Sequence, residues 1–321
     1  MLHGEQLGLD GMPRRLYSCT PTRLTTWLSC PRLYRMTYLD RPVPRKGPPW
    51  AHNSLGASVH NALAGWWRQP VAQRTVAAAG TLLDQGWINE GFASDAQSAA
   101  TRSRAREMVE DYVAGLDPAD EPAGVERTVA ARTERIAVSG RIDRLDERPA
   151  GHGTELVVVD YKTGRRPLGT DDARTSLPLA LYAVAAARVL RRPCHRVELH
   201  HLPARAVHAW AHTDATLARQ LGRAEDIAAE CAAADERQRA GLAPGEVDEV
   251  FPASPGPGCG WCDFRALCPE GSAATPARRP WDGLDGAGLD GAGLDAGEPA
   301  SGPARPGPGG TGASSGPAAM R

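Results

Sequence analysis

Lysine is almost missing from this chain: Lys46 and Lys162 stand against 35 arginines in 321 residues. Where arginine fills nearly every basic position, a retained lysine points to a role for a compact, rotatable ammonium whose pKa can be tuned. Long apolar runs are missing too. None approaches the ~20 residues needed to span a bilayer, and Met1 to Arg15 hold no hydrophobic signal core. No membrane partner is expected, and the expected setting is cytoplasmic. There is no Gly-x-x-x-x-Gly-Lys-Ser/Thr loop, so the chain is not itself a P-loop motor. The net charge is only −1, which leaves local patches rather than global attraction as the means of binding a polyanion. The seven cysteines are odd in number and irregular in spacing, so a disulfide framework is not supported and metal ligation is the better use for them.

What is present centres on Val157-Val158-Val159-Asp160-Tyr161-Lys162-Thr163-Gly164, an apolar strand that ends in a carboxylate and an amine two residues apart. A period of two sends Asp160 and Lys162 to one face. Just upstream, Ile136, Val138, Gly140 and Ile142 alternate with polar residues, with Asp143 on the opposite face near the strand's end. Residues 146–154 carry turn chemistry, and two adjacent antiparallel strands would bring Asp143 and Asp160 together. Asp143, Asp160 and Lys162 then form the nucleus of a metal-dependent phosphodiesterase site. Taken alone, Asp-x-Lys is also a common surface ion pair.

The remaining pattern suits an α/β chain, 41% hydrophobic, with a central sheet flanked by helices. Thr22 to Tyr38 reads as a helix broken near Cys30-Pro31, and Ser54 to Arg68 as a helix capped by Asn53 or Ser54. Alanine-rich helices follow at about 71–88 and 95–115, a strand pair from near Glu126, and a helix from about Ser176 to Leu190. Val197–Leu202 and Val207–Thr213 read as strands, and Asp214 caps a polar helix to about Arg239. Residues 1–15 read as a loose arm and 16–270 as the folded domain. From Gly271 to 321 the composition turns to Gly, Ala, Pro and Ser, with a repeated Gly-Leu-Asp-Gly-Ala unit, and reads as a disordered tail.

These residues resemble the PD-(D/E)xK nuclease superfamily, in the RecB-like branch that includes the AddB nuclease domain and CRISPR-associated adaptation exonucleases. Ser54-Leu55-Gly56-Ala57-Ser58-Val59-His60 is similar to the family's first helix, and Leu177-Pro178-Leu179-Ala180-Leu181-Tyr182 to its Gln-x-x-x-Tyr helix, with Pro178 where the family usually has glutamine. The match spans roughly residues 20–270. The resemblance implies a restriction-endonuclease-like mixed sheet and a DNA exonuclease or endonuclease of repair and recombination. It implies Mg2+ or Mn2+ held by His60, Asp143, Asp160 and the Tyr161 carbonyl, with Lys162 addressing the water and Glu126 a weaker candidate. DNA, single-stranded or at duplex ends, is the implied partner, with a separate helicase as motor.

Cys259-Gly260-Trp261-Cys262-Asp263-Phe264-Arg265-Ala266-Leu267-Cys268 gives C-x2-C-x5-C, which needs a fourth thiolate to close a site. Spacing alone leaves zinc and iron-sulfur open. The resemblance favours a [4Fe–4S] cluster, with Cys30 in Cys30-Pro31-Arg32-Leu33-Tyr34 as the remote ligand stapling the chain's two ends. Cys19, Cys194 and Cys231 read as small buried hydrophobes. Eight basic residues between Pro13 and Lys46, Arg32 and Arg35 among them, interleave with Tyr17, Trp27, Tyr34 and Tyr38. This stretch is either a nucleic-acid surface or a solvated face with ordinary core aromatics. Arg32, Arg35 and Tyr182 are the expected DNA contacts.

Overall fold

The computed structural model describes residues 16–151 and 153–284. The arm expected over residues 1–15 lies outside the described residues. In chain order the elements are β1 (Tyr17–Cys19), α1 (Pro21–Ser29), α2 (Pro31–Tyr38), α3 (Ala51–Trp67), α4 (Val76–Gln85), α5 (Asp95–Ala114), β2 (Gly124–Arg132), β3 (Ile136–Ala150) and β4 (Gly153–Lys162). Then come α6 (Thr170–Thr175), α7 (Leu177–Leu190), β5 (Arg196–His201), β6 (Ala206–Ala211), α8 (Asp214–Ala240), α9 (Pro244–Val250) and α10 (Pro269–Ala274).

Local chemistry sets most boundaries. Pro31 disfavours helical geometry at the residue before it, so Cys30 is extended, with φ −166°, and α1 stops there while α2 restarts with proline in its first turn. Ser94, Ser176 and Thr213 cap α5, α7 and α8 by accepting an amide three residues on. The cap of α8 is thus Thr213, with Asp214 as the first helical residue. Helix α3 begins earlier than its sequence suggests, at Ala51 behind Trp50, because the Ala51 amide finds a distant acceptor, the Pro280 carbonyl, at 3.0 Å. Gly91, at φ +81°, lets a loop cross this start; a Cβ there would lie 2.5 Å from Ala51 N and Pro49 O.

The sheet is mixed, ordered β1-β3-β4-β5-β6, with β2 on the other edge of β3. Pairing is antiparallel for β2–β3, β3–β4 and β5–β6, and parallel for β1–β3 and β4–β5. The stretch 146–154, read as turn, is mostly strand: the ladder runs on to Ala150 opposite Gly153. Polar side chains hold it, since Asp146 and Arg148 pair at 2.8 Å and Thr154 donates to Glu147 at 2.8 Å.

Strand β4 is buried on both faces, as an apolar central strand must be. Val157, Val159 and Tyr161 pack with Leu63 and Trp66 of α3, Leu83 of α4 and Val109 of α5. Leu156 and Val158 pack with Leu179 and Ala183 of α7. A third cluster joins β1 and the start of β3 to α1, α2, α8 and Phe251. Cys19, Cys194 and Cys231 sit in these cores, buried. The chain also stays packed past Gly271: α10 ends at Ala274, and Leu284 is only 6% exposed. The remainder of the expected tail lies outside the described residues.

Candidate metal centre and adjoining cavity

The β2–β3 and β3–β4 ladders bring the acidic residues together. Ladder β3–β4 ends with Arg144 opposite Val159, so Asp143 and Asp160 are the next residue on each strand. On the other side Val125 pairs with Arg144 and Arg127 with Ile142, which leaves Glu126 facing Asp143. Glu126 has φ +50°, a costly conformation for a side chain of that size. Its neighbour strand is irregular too. Ile142 and Leu145 enter the same core cluster although residues three apart on a regular strand face opposite ways. The strand therefore changes phase at Asp143-Arg144, beside the strained Glu126, and this turns Asp143 toward α3.

There Asp143 meets His60. Oδ2 of Asp143 lies 3.4 Å from His60 Nδ1 and accepts the Tyr161 amide at 2.9 Å. Nε2 of His60 lies 3.1 Å from the Tyr161 carbonyl, which can only accept, so Nε2 carries the proton. One ligand atom from each of His60, Glu126 and Asp143 falls within 4.8 Å of the others. Burial would raise the Asp143 carboxyl, but His60, the Tyr161 amide and the Lys162 charge hold it below its ordinary value. Asp160 stands outside that trio, with Oδ2 3.0 Å from Lys162 Nζ. Glu126 also accepts from Arg141 Nε at 2.8 Å.

The donor set fits a divalent cation. With Nε2 protonated, a neutral His60 turns its Nδ1 lone pair toward a carboxylate. Two acceptors 3.4 Å apart repel unless a positive charge lies between them, either a second ring proton or a cation. One imidazole with carboxylate oxygens suits Mg2+ or Mn2+ better than a soft metal.

A buried polar network fixes this end of the sheet where it packs on α3 and α5. Arg144 sits between the rings of Trp67 and Tyr161, 5.3 and 5.9 Å from their centroids, and pairs with Asp146 at 2.8 Å. Glu198, 1% exposed, accepts both Nη atoms of Arg148 at 2.7 and 2.9 Å and Arg196 Nε at 2.7 Å. It also faces His200 Nε2 at 2.9 Å, whose Nδ1 lies 2.7 Å from the Tyr112 hydroxyl. Burial lowers the His200 pKa, and the hydrogen bonds from His200, Arg148 and Arg196 together with the Arg148 charge hold the Glu198 carboxyl far below its usual range despite burial.

Lys162 lines a cavity of about 1580 Å³ that also takes in Cys30, Cys259, Cys262 and Cys268. All four are free thiols. A Cβ at Gly271 would lie 3.3 Å from Cys268 Sγ and 3.4 Å from Cys259 Sγ, so these two sulfurs converge. Cys30 accepts from the Leu33 amide at 3.5 Å and Cys268 from the Gly271 amide at 3.4 Å. The Cys262 thiol is pushed up to about 11, chiefly by burial, with Cys30 and Cys259 close enough to add to the rise.

The expected DNA contacts are placed differently. Arg32 is 7% exposed and bridges Asp248 at 2.9 Å, Glu270 at 2.5 Å and Cys268 Sγ at 3.5 Å, so it ties α2 to the cysteine segment. Arg35 pairs with Asp40 at 3.3 Å. Tyr34 is fully buried, and Arg23 lies over Tyr17, Tyr34 and Tyr38 while pairing with Asp235 at 2.7 Å. Of the two readings of the basic-aromatic stretch, these aromatics follow the core one. Tyr182 lies over Gly140, where a Cβ would come 2.5 Å from its ring. Pro178 occupies the first turn of α7, where its missing N–H costs nothing. No local signal marks the cavity cations Arg104, Arg165 and Arg205, which come from three separate segments.

A mixed sheet flanked by helices, with an imidazole, two carboxylates and a nearby Asp-x-Lys at the meeting of two strand ladders, defines a nuclease-type α/β fold with a candidate acidic metal site. Residues 18–269 match the PD-(D/E)XK nuclease superfamily, and the chain belongs to that superfamily. No curated protein matches the chain.

Proposed function

We propose that the chain is a Mg2+- or Mn2+-dependent deoxyribonuclease of the RecB-like exonuclease type, acting in DNA repair or recombination. The observation that carries this reading is the convergence of His60, Glu126 and Asp143 next to Lys162. His60, Asp143 and Glu126 would hold the cation, with Asp160 and the Tyr161 carbonyl alongside. When bound, the cation polarises a phosphodiester and lowers the pKa of water. The Tyr161 amide fixes one Asp143 oxygen, and the Tyr161 carbonyl fixes the His60 ring. Lys162 Nζ, steered by Asp160, orients the attacking water and offsets negative charge as it develops. A separate helicase would supply unwinding, and the cytoplasm is the fitting compartment.

We further propose a [4Fe–4S] cluster on Cys30, Cys259, Cys262 and Cys268. The shared cavity and the amides aimed at sulfur support it. Its role would be to staple α2 to the segment before α10. The alternative of a non-catalytic DNA-binding or scaffolding relative draws only on Pro178. One assay separates them: end-labelled single- and double-stranded DNA incubated with Mg2+ or Mn2+. Lys162→Ala should slow cleavage about 10²–10⁴-fold, Lys162→Arg should not restore it, and Asp143→Asn should abolish it while the fold persists. Undiminished cleavage by Asp143→Asn would remove the assignment.

A further inference from the structure

Two guanidiniums converge on a single oxygen in the wall of the cavity. Arg104 Nη2, from α5, and Arg165 Nη1, from the loop between β4 and α6, both donate to the Leu284 carbonyl at 3.4 Å. That carbonyl is neutral, and both contacts are long beside the usual N–H···O range of about 2.7–3.2 Å. Most other cavity cations are paired with a carboxylate. Arg166 meets Asp172 at 2.9 Å, Lys46 meets Asp263 at 3.0 Å, Arg205 meets Asp111, and Arg32 meets both Asp248 and Glu270. Among the described residues no carboxylate pairs with Arg165. The carbonyl thus marks a point that two positive charges reach together, without supplying the negative charge that would offset their repulsion.

Both arginines are held at their roots. Ala105 and Val109 bury the adjoining face of α5 against α3, and the loop is pinned one residue before Arg165, where His201 Nε2 lies 2.7 Å from the Gly164 carbonyl. Arg165 is three residues beyond Lys162 and lines the same cavity, and three residues reach ~11 Å at most. A guanidinium fork matches phosphate oxygens better than a lone carbonyl. We propose that Arg104 and Arg165 form a phosphate claw, gripping one phosphodiester of a nucleic-acid strand whose reacting phosphate lies a few nucleotides away beside Lys162. The reacting phosphate rests on the nuclease reading; the grip on the strand does not. Such a contact is the same for every base, so it sets the position of the strand without reading its sequence.

The test uses the full chain with Arg104→Gln, Arg165→Gln, the double variant, and Arg174→Gln as a control on an arginine outside the cavity. Binding of labelled oligo-dT is read by anisotropy in EDTA at low salt. Each single cavity variant should bind about five- to tenfold more weakly. The double variant should lose less than the product of the single losses, because the two side chains share one phosphate. Its slope of log K against log salt should be shallower by about 0.7, one phosphate's worth on a single strand. Arg174→Gln should bind as wild type does. In the second arm the same oligonucleotide is cut with Mn2+, and the double variant should raise KM with kcat nearly unchanged, since a contact remote from the reacting phosphate holds ground and transition states alike. Cavity variants that bind as tightly as wild type, losses that multiply in the double variant, or an equal loss in Arg174→Gln would overturn the claw. If wild type cuts nothing while binding follows the expected pattern, the nuclease reading fails and the claw stands; if wild type cuts and the variants bind unchanged, the claw fails and the nuclease reading stands. A wild-type chain that does not bind the oligonucleotide removes both.

Discussion

Replacing Glu198 by glutamine keeps the shape of a side chain that is 1% exposed and removes the one negative charge facing Arg148, Arg196 and His200. Removing one partner of a buried pair costs about 3–5 kcal/mol. Here Arg148 and Arg196 are 36% and 41% exposed and can turn toward water, so the expected loss is nearer 2–3 kcal/mol at pH 7.5, still a large share of a typical domain's stability. The pH dependence has a definite sign. The folded Glu198 carboxyl is depressed, so its contribution is present above the unfolded value of about 4.3 and is lost as pH falls below it. His200 is depressed by burial, so both proteins also lose stability as pH drops below about 6.5, the unfolded histidine value. Glu198 also props up the His200 pKa, so the difference between wild type and Glu198→Gln should not fall, and should grow somewhat, from pH 7.5 to about 5 and then shrink below about 4.3. Urea unfolding at a series of pH values measures it. A difference under 1 kcal/mol at pH 7.5, or one that stays constant down to pH 3, would refute the reasoning.

Gly140→Ala should cost about 1–3 kcal/mol by driving a methyl into the Tyr182 ring, and Tyr182→Leu in the same chain should recover part of it; strictly additive losses in denaturant melts would show that the contact is not the cause. Ending the chain after Thr275 removes buried Leu284 and the Pro280 carbonyl that holds Ala51, an expected loss of about 2 kcal/mol and a Tm lower by about 4–8 °C. An unchanged Tm in calorimetry would contradict the packing described. Protein purified without oxygen should be brown and contain iron and acid-labile sulfide, and Cys30→Ser should bleach it as fully as Cys262→Ser; stoichiometric zinc without iron would replace the proposed cluster.

The strands that carry the site could be read from local signals. Alternation over Ile136–Ile142 and the apolar run before Asp160 are period-two patterns, and Pro31 after Cys30 announces the break between α1 and α2. What escaped depends on distant partners. Glu126 rises from a weak candidate to a neighbour of Asp143 through register and a left-handed φ, neither of which leaves a composition signal. Arg32 looked like a phosphate contact because nothing near it in sequence is acidic; Asp248 and Glu270 arrive from more than two hundred residues away. The start of α3 was misplaced for the same reason, since its first amide is satisfied by Pro280. Strand β1, three residues long, is too short to show any period.

That short strand has a consequence for how the molecule is made. Residues Tyr17–Cys19 pair with Ile136–Val138, about 120 residues further along, whereas β3 and β4 meet across a tight hairpin. During synthesis the hairpin bearing Asp143 and Asp160 can close from local contacts, while the earliest-made strand must wait for a partner that does not yet exist. The cavity wall waits longer still, because Cys259, Cys268 and Leu284 are made well after Lys162. A ribosome-bound chain therefore carries the strands of the candidate metal centre before the cavity beside them has its far wall.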